Sequence, residues 1–375
     1  MANITVLGAG MVGSAIAIDL SKKHEVLLVD LDHVKLEAIQ KQHPNVEGKV
    51  ADVSDMEQLH SVVSSADLVM GAVPGFMGYQ LLEDLIQLKK NTVDISFCPE
   101  DTLPLSEKAK EAGVSLFVDA GVAPGLSNLV LGYYNALWDL DSFKCMVGGL
   151  PKHPNEPWNY KAPFSPIDVI EEYTRPARFI RDGNEVCMDA LTEIEEVTVH
   201  DYELEAFNSD GLRTLLYTMS HVPNVIEKTL RFRGHAEKIK FLRDCGLLSD
   251  KMIDVKGTTI RPLDITSKVL IDSWKLQANE PEFTVMSMKM SGYSKSDGKP
   301  QEVELVLYDE YDELSRTSSM ARTTGYTATA VAEYFLAGKY DSKGIIPLEL
   351  LGSSPTAYDF IRQYLAERNV IFSSP

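Results

Sequence analysis

A glycine-rich turn close to the N-terminus is the feature that most constrains the fold of this chain. Residues 8–13 read Gly-Ala-Gly-Met-Val-Gly, directly after the apolar run 4–7 and at the start of a helical pattern. In that setting Gly8 permits a tight turn, Gly10 leaves room for a pyrophosphate beside the backbone, and Gly13 lets helix and strand pack closely. The turn therefore predicts a Rossmann domain that binds a dinucleotide at a helix N-terminus.

An acidic residue supports this interpretation and bears on the choice of dinucleotide. Asp30 ends the second apolar run, about twenty residues beyond the glycines, where a carboxylate can accept hydrogen bonds from the adenosine ribose hydroxyls. The carboxylate would also repel a 2′-phosphate, so the sequence predicts NAD in preference to NADP, unless Asp30 is only a surface turn residue. By position, residues 52–53 are expected at the adenine edge and residues 72–74 beside the pyrophosphate or the nicotinamide ribose. The predicted cofactor contacts are Gly8, Gly10, Met11, Val12, Gly13, Asp30, Asp52, Val53, Ala72, Val73 and Pro74.

Short apolar runs alternate with amphipathic helical stretches up to about residue 123, a rhythm typical of a parallel sheet wound by crossover helices. Six strands in this rhythm complete a doubly wound α/β domain over residues 1–123. The predicted strands are 4–7, 26–29, 49–51, 68–72, 92–95 and 116–118, and the predicted helices are 11–20, 34–40, 56–63, 79–88 and 105–111.

After Gly125 the pattern changes to that of an α+β domain, predicted over residues 124–345. Segments 282–293 and 301–311 flank a turn-rich loop and are expected to pair as a hairpin. A last helix at 357–368, within a C-terminal segment 346–375, is free to return to either domain. The other predicted elements are helices at 126–137, 224–230, 236–245 and 327–336, strands at 143–147, 186–188, 283–291 and 303–309, and a Pro/Gly-rich loop that begins at 148–151.

Composition and charge exclude several classes of protein. The 375 residues are 44% hydrophobic and 24% charged, as in ordinary globular proteins, and their formal net charge of −19 would repel a phosphate backbone, so no nucleic-acid partner is expected. No stretch approaches the roughly 20 apolar residues that cross a bilayer, and the N-terminus does not resemble a secretion signal. A cytoplasmic protein without membrane association is therefore expected. The four cysteines are scattered and no cluster has metal-ligand spacing, so no metal is expected.

Several segments beyond the glycine turn resemble the saccharopine dehydrogenase-like family. The first is 119–125, which reads Asp-Ala-Gly-Val-Ala-Pro-Gly. Within the family, the chain most closely resembles the lysine 6-dehydrogenases. Ala123 stands where the saccharopine-forming reductases have an acid before Pro-Gly, which weakens that alternative. Residues 209–214 depart from the lysine-enzyme pattern, and this leaves the substrate open. The further segments, in family order, are 147–151, 158–160 with 164–165, 205–207, 229–238 and 320–324.

The resemblance implies a fold and an activity. The fold is a Rossmann doubly wound parallel sheet joined to an α+β domain with a mixed sheet, in a homodimer that holds a small amino acid or amine substrate between the domains. The activity is NAD-dependent oxidation of an amine-bearing carbon, most closely the ε-amine carbon of L-lysine, to give 2-aminoadipate 6-semialdehyde and ammonia. The alternatives are a saccharopine- or carboxynorspermidine-type reductase that forms a secondary amine, and a dinucleotide-binding protein without catalysis.

Amine oxidation requires a base, because hydride leaves an amine-bearing carbon readily only when the nitrogen is neutral. Asp119 is the first candidate, since it ends the sixth predicted strand and the carboxyl ends of parallel strands face the ligand crevice. It could instead cap the following turn. His235 is the second candidate, and its alternative role is a hydrogen bond within the second domain.

A lysine-like substrate also presents a carboxylate, for which a bidentate arginine is the natural partner. Arg213, Arg233 and Arg322 are candidates for that role, with ion pairs inside the protein as the alternative. Tyr160 and Thr214 could orient the substrate through their hydroxyl groups, or they could serve only in packing.

Overall fold

The N-terminal third of the chain forms a wound α/β domain. A computed structural model describes residues 1–277 and 280–374. In its first part strand and helix alternate, which confirms the predicted fold class. The strands are β1 (Asn3–Leu7), β2 (Glu25–Asp30), β3 (Val46–Val50), β4 (Leu68–Gly71), β5 (Thr92–Asp94) and β6 (Ser115–Val118). The helices are α1 (Met11–Leu20), α2 (His33–Gln42), α3 (Met56–Val63), α4 (Gly75–Gln87) and α5 (Ser106–Ala112), with a 3-10 turn at Leu103–Leu105.

The strand order places the glycine turn at a crevice. The six strands are parallel in the order β6-β5-β4-β1-β2-β3, so the direction of winding reverses between β1 and β4. Ligands of open α/β sheets bind at such a reversal, outside the carboxyl ends of the strands. Asp32 and Asp55 each accept hydrogen bonds from two backbone amides of the first turn of α2 and α3, and so fix where these helices begin.

The remaining two-thirds of the chain build the second domain and then return to the first. The helices are α6 (Leu126–Leu137), α7 (Pro166–Thr174), α8 (Leu215–Thr218), α9 (His235–Asp244), α10 (Pro262–Trp274), α11 (Ser319–Leu336), α12 (Leu348–Gly352) and α13 (Pro355–Ala366). The strands are β7 (Trp138–Pro151), β8 (Ala177–Arg181), β9 (Asn184–Met188), β10 (Glu195–Val199), β11 (Tyr202–Asn208), β12 (Asn224–Phe232), β13 (Ile253–Val255), β14 (Thr258–Ile260), β15 (Glu282–Ser294), β16 (Pro300–Glu310), β17 (Gly344–Pro347) and β18 (Phe372–Ser373).

The second sheet is mixed. Its strands follow the order β10-β11-β12-β7-β15-β16-β18, with β8 paired to β12 and β9 paired to β8. The pair β12 and β7 is parallel and the other pairs are antiparallel. Strands β15 and β16 pair from Phe283 opposite Glu310 to Tyr293 opposite Pro300. The predicted hairpin and mixed sheet are therefore confirmed.

The C-terminal segment contributes to both sheets. Strand β17 pairs in parallel with β6, and β18 pairs with β16. Helix α11 is buried along most of its length because it packs against α1, α13 and β15. The buried carboxylate of Asp19 on α1 accepts hydrogen bonds from Thr329 at 2.9 Å, from Tyr364 at 2.7 Å and from Arg368 at 2.9 Å. These bonds fasten the C-terminal helices to the Rossmann domain.

Three predictions about elements are wrong. The parallel sheet has seven strands rather than six, because β17 arrives from more than 200 residues further along the chain than its neighbour β6. Residues 224–230, predicted as a helix, lie in strand β12. Residues 148–151, predicted as a loop, end strand β7, where a side chain at Gly148 would lie 2.6 Å from the carbonyl oxygen of Leu230. That glycine serves close packing between strands rather than a turn.

Candidate active site

A cleft of about 1130 Å³ opens between the carboxyl ends of the parallel strands and the second sheet. Both domains contribute to its walls, so a ligand of the first domain can meet a ligand of the second inside it. The first domain lines it with residues 8–14, 29–31, 51–53, 72–74, 95–97, 119 and 121–124, and the second with residues 147–149, 164–166, 168, 172, 209–211, 227, 229, 231, 275 and 276, among others.

The glycine turn has the geometry of a phosphate cradle. Gly8 has φ +108°, and a Cβ there would lie 2.3 Å from the carbonyl oxygen of Ala72. A Cβ at Gly13 would lie 2.0 Å from the carbonyl oxygen of Gly8. By contrast, a Cβ at Gly10 would meet nothing within 4 Å, and Gly10 lends no side-chain cap to the N-terminus of α1. The free amide groups of that helix end therefore face open space in which a pyrophosphate fits.

All the residues predicted from the sequence as cofactor contacts line this cleft. Asp30 accepts hydrogen bonds from the backbone amides of Ala9 at 2.7 Å and Asp32 at 2.9 Å, so it braces the glycine turn. Lys35 lines the same end of the cleft. Hydrogen bonds from the Ser54 hydroxyl and amide hold the pKa of Asp52 below its usual value, so this group stays ionised near the position predicted for the adenine.

Asp119 lies where β6 gives way to the cleft. It has φ +51° and is 4% exposed, and its Oδ1 accepts a hydrogen bond of 3.4 Å from the Nε of Arg213, while its Oδ2 has no partner among the described residues. Burial raises the pKa of Asp119, and the guanidinium of Arg213 opposes that rise. A second buried carboxyl, that of Asp94, lies close enough to feel the charge of Asp119. Burial raises the pKa of Asp94 to about 7, and the charge of Asp119 adds to the rise. Asp119 therefore places a buried carboxyl at the wall of the cleft, and one of its oxygens has no hydrogen-bond partner among the described residues.

The arginines predicted to bind a substrate carboxylate do not line the cleft. Arg213 is held by Asp119, Cys98 and the carbonyl of Glu100. Two others form ion pairs elsewhere, and thus behave as the alternative interpretation expected: Arg322 with Asp309 at 3.1 Å and Asp312 at 3.3 Å, and Arg233 with Glu196 at 3.1 Å and Glu203 at 3.2 Å.

The other three predicted residues do not line the cleft either, and all of them are buried: His235, Tyr160 and Thr214. His235 uses both ring nitrogens, at 2.9 Å from the carbonyl of Trp158 and 3.0 Å from the hydroxyl of Tyr173. Burial lowers the pKa of His235 to about 3, so the imidazole stays neutral. The geometry gives the predicted base role of His235 no support and favours its alternative, a hydrogen bond within the second domain.

Two elements build a charged wall of the cleft that the sequence interpretation missed. On β12, Glu227, Thr229 and Arg231 alternate with a two-residue period and all line the cleft. On α7, Asp168 and Glu172 lie one turn apart and line it as well. The available signal was the alternation of polar residues at 227, 229 and 231, which a strand assignment would have placed on one face.

Most charges of this wall are already paired. The Nη2 of Arg231 lies 2.6 Å from Glu172, and three more N–H groups of the same guanidinium bond Tyr160, Tyr173 and the carbonyl of Leu230. An arginine has five N–H donors, so one is left for a ligand. Asp210 is paired with Arg178 at 2.9 Å.

Two carboxyls of the wall, those of Asp168 and Glu227, form no ion pair among the described residues, and each has one oxygen without a hydrogen-bond partner. Burial raises the pKa of Asp168 to about 6.

Neither a metal site nor a membrane span is found in the described part of the chain. This part contains no group of three or more histidine, cysteine, aspartate or glutamate residues that could hold a metal ion. None of its helices combines the length and apolar character needed to span a membrane.

Comparison with known families places the chain. Residues 4–117 match the saccharopine dehydrogenase NADP binding domain, and residues 121–371 match the saccharopine dehydrogenase C-terminal domain. The chain therefore belongs to the saccharopine dehydrogenase family, which confirms the resemblance at that level. The match does not single out the lysine 6-dehydrogenases within the family.

Two of the curated relatives and one of the solved structures that extend over nearly the whole chain illustrate this match. The saccharopine dehydrogenase [NADP(+), L-glutamate-forming] of Saccharomyces cerevisiae is 23% identical over 99% of this chain and 98% of its own length. The carboxynorspermidine synthase of Vibrio alginolyticus is 24% identical over 94% of this chain and 93% of its own. The apo structure of saccharopine dehydrogenase (L-Glu forming) from Saccharomyces cerevisiae has a TM-score of 0.79 with 21% identity and full coverage of both chains.

Other curated relatives are longer proteins. The chain spans 45%, 22% and 30% of the first three that it matches.

Proposed function

We propose that this chain is a nicotinamide-dependent oxidoreductase for a carbon–nitrogen bond of a basic amine substrate, with L-lysine as the leading substrate. The observation that supports this most is the cleft itself. A phosphate cradle at one end and a wall rich in carboxyls at the other open onto the same space. A dinucleotide and an amine can therefore meet there.

The glycine turn and the strand ends around it would hold the cofactor, with the pyrophosphate at the N-terminus of α1. When bound, the nicotinamide supplies the hydride acceptor. Asp30 supports a preference for NAD, because its carboxylate would oppose a 2′-phosphate. The matching family domain is described as an NADP binding domain, and Lys35 lines the same end of the cleft, so both dinucleotides belong in the test.

Asp119 is the proposed base. Its free Oδ2 can accept a proton from the substrate ammonium, which leaves a neutral nitrogen whose lone pair assists departure of hydride from the neighbouring carbon. Water then adds to the resulting iminium carbon, and cleavage of the carbon–nitrogen bond releases ammonia and leaves an aldehyde. For L-lysine the aldehyde is 2-aminoadipate 6-semialdehyde.

The charges of the wall favour a substrate with few carboxylates. Arg231 is the one arginine that lines the cleft among the described residues, and four of its five donors are engaged. Lys275 is the other cation near the substrate end. A condensed amino-acid adduct would need a second carboxylate clamp, so the wall suits a single amino acid or a polyamine better.

A second candidate is the reductive joining of an aldehyde and an amine to form a secondary amine. The activities named for the Saccharomyces cerevisiae and Vibrio alginolyticus relatives, which match along nearly their full lengths, favour this class. A carboxylated polyamine has several ammonium groups and one carboxylate, and it would suit the same wall. The third alternative is a protein that binds a dinucleotide without catalysis.

The test follows absorbance of the reduced dinucleotide at alkaline pH with NAD or NADP and a panel of L-lysine, ω-amino acids and polyamines. Formation of NADH from L-lysine supports the proposal, and Asp119→Asn serves as the variant that should lose turnover but keep dinucleotide binding. Turnover only in the reverse direction, with an aldehyde and an amine, favours the second candidate. Dinucleotide binding with no turnover in either direction favours the third.

The proposal also includes a cytoplasmic homodimer. All four cysteines are free, as expected in a reducing compartment. Sedimentation of the full chain with and without NADH tests the oligomeric state.

A further inference from the structure

Three carboxyls that line the cleft each have one buried oxygen without a hydrogen-bond partner among the described residues. Among the described residues, four buried carboxyl oxygens lack any hydrogen bond, and those of Asp119, Asp168 and Glu227 belong to residues that line the cleft. The fourth belongs to Glu282, which lies outside it. Leaving a buried acceptor unsatisfied costs on the order of 1–3 kcal/mol, and charged groups cost more. The concentration of such oxygens around one cavity points to a ligand that donates hydrogen bonds or carries positive charge.

Glu227 is the most isolated of the three. It lies on β12, it forms no ion pair among the described residues, and its Oε2 would lie 1.0 Å from a Cβ at position 211. The carboxyl therefore rests directly against the backbone of Gly211, and only a glycine leaves it that room. Two residues further along the strand, the hydroxyl of Thr229 donates to Ser209 at 2.8 Å, and both of these residues line the cleft.

The groups that face Glu227 do not neutralise it. Glu172 on α7 and Asp210 after β11 both repel its charge, and each already has an arginine partner, that of Glu172 being Arg231. From the neighbouring strand β7 it faces the buried thiol of Cys145, whose pKa burial raises well above its usual value. Burial and the two carboxylates raise the pKa of Glu227 well above its usual value. No positively charged side chain among the described residues pairs with Glu227, so a cationic ligand would supply the missing partner.

We propose that Glu227 anchors a second, non-reacting ammonium group of the substrate and so selects diamines and diamino acids over monoamines. The inference rests on the proposed function, because it places the reacting nitrogen at Asp119. An ammonium has three donors, and the carboxyl of Glu227 and the hydroxyls of Thr229 and Ser209, which all line the cleft, offer acceptors for them. Charge-assisted bonds of this kind are stronger than neutral ones.

The experiment uses the full chain saturated with NADH, so that amines bind without oxidation. Titration calorimetry compares 1,5-diaminopentane with 1-aminopentane, which differ only in the second nitrogen. The wild type is expected to bind the diamine at least about tenfold more tightly, because the monoamine cannot form the charged buried hydrogen bond to Glu227. Glu227→Gln should abolish the preference. Glu282→Gln is the matched control, since it also neutralises a buried carboxyl with a free oxygen, but outside the cleft.

A proton count separates binding at Glu227 from a general loss of structure. Because burial raises the pKa of Glu227 and a bound ammonium would oppose that rise, the wild type should release more protons than Glu227→Gln when the diamine binds at pH 7, measured in buffers of different ionisation heat. Gly211→Ala, which keeps the carboxyl but displaces it, should weaken the diamine preference as well and provides a second variant if Glu227→Gln folds poorly.

The outcomes are distinguishable. A diamine preference lost in Glu227→Gln and kept in Glu282→Gln supports the inference. A preference that persists in Glu227→Gln, or a wild type that turns over amines without any such preference, overturns the inference and leaves the proposed function standing. A wild type that binds NADH but neither binds nor turns over any amine overturns both.

Discussion

Gly10→Ala should separate folding from cofactor binding. At this position φ is −70° and a Cβ would meet nothing within 4 Å, so the fold can accept the methyl group. Alanine is a poorer N-cap than glycine by up to about 1 kcal/mol. It also reduces the entropy of the unfolded chain, worth about 0.4–1 kcal/mol in the opposite sense. The net change in the free energy of unfolding should therefore stay within about 1 kcal/mol.

The same methyl group enters the space predicted for the pyrophosphate. We expect the NADH dissociation constant to rise by at least about tenfold, equivalent to about 1.4 kcal/mol. At an NADH concentration 100 times the wild-type Kd, the ligand stabilises the wild type by about 2.7 kcal/mol and the variant by only about 1.4 kcal/mol. Denaturation midpoints with and without NADH, together with a fluorescence titration, measure both quantities.

Gly13→Ala is the contrasting variant. Its Cβ would lie 2.0 Å from the carbonyl oxygen of Gly8, a clash with backbone that should cost about 1–3 kcal/mol or more without any ligand. If Gly10→Ala binds NADH as tightly as the wild type, the cradle does not hold the pyrophosphate and the reasoning fails.

Three further perturbations have defined outcomes. Asp30→Ser removes the charge but keeps a hydrogen-bonding group, so the NADPH-to-NADH affinity ratio should rise by about tenfold or more, and an unchanged ratio excludes Asp30 as the selector. Asp119→Asn should lower kcat by about 100-fold or more with the NADH dissociation constant unchanged, and wild-type kcat/KM should fall as pH falls through the raised pKa of Asp119, since only the carboxylate accepts a proton. Folding lowers the pKa of His235 from 6.5 to about 3, so between these pH values the unfolded chain binds more protons than the folded chain. The contribution of His235 to the free energy of unfolding is therefore full above pH 6.5 and declines as pH falls towards 3. This acid-side decline should be smaller in His235→Asn, and an equal decline in thermal midpoints would contradict the assignment.

The Rossmann domain was predictable because the sequence patterns that specify it are local. The glycine turn, the buried strands and the amphipathic helices each follow from a few neighbouring residues. The seventh strand was not predictable in this way, because Gly344–Pro347 joins β6 only through tertiary packing. Asp119 was found for the same local reason as the turn, since it directly follows a recognisable strand.

The charged wall of the cleft escaped prediction because its strand has a polar face. A strand buried against a core alternates apolar and polar residues, but β12 turns Glu227, Thr229 and Arg231 towards a cleft, and the resulting pattern resembles a polar helix. The arginines Arg213 and Arg322 looked like ligands of a substrate carboxylate for a related reason. Their buried partners are Asp119 and Asp309, and no local sequence pattern connects either arginine with its partner.

The central claim is that the cleft brings an amine-bearing carbon and a nicotinamide together for hydride transfer. The most direct test incubates the protein with NAD and L-lysine deuterated at C6 and weighs the reduced dinucleotide by mass spectrometry. We expect one deuterium in the NADH, formation of NADH that is slower than with unlabelled lysine when hydride transfer limits the rate, and a rate at least about 100-fold lower in Asp119→Asn. Reduced dinucleotide without deuterium, or none with lysine or any amine of the panel, would contradict it.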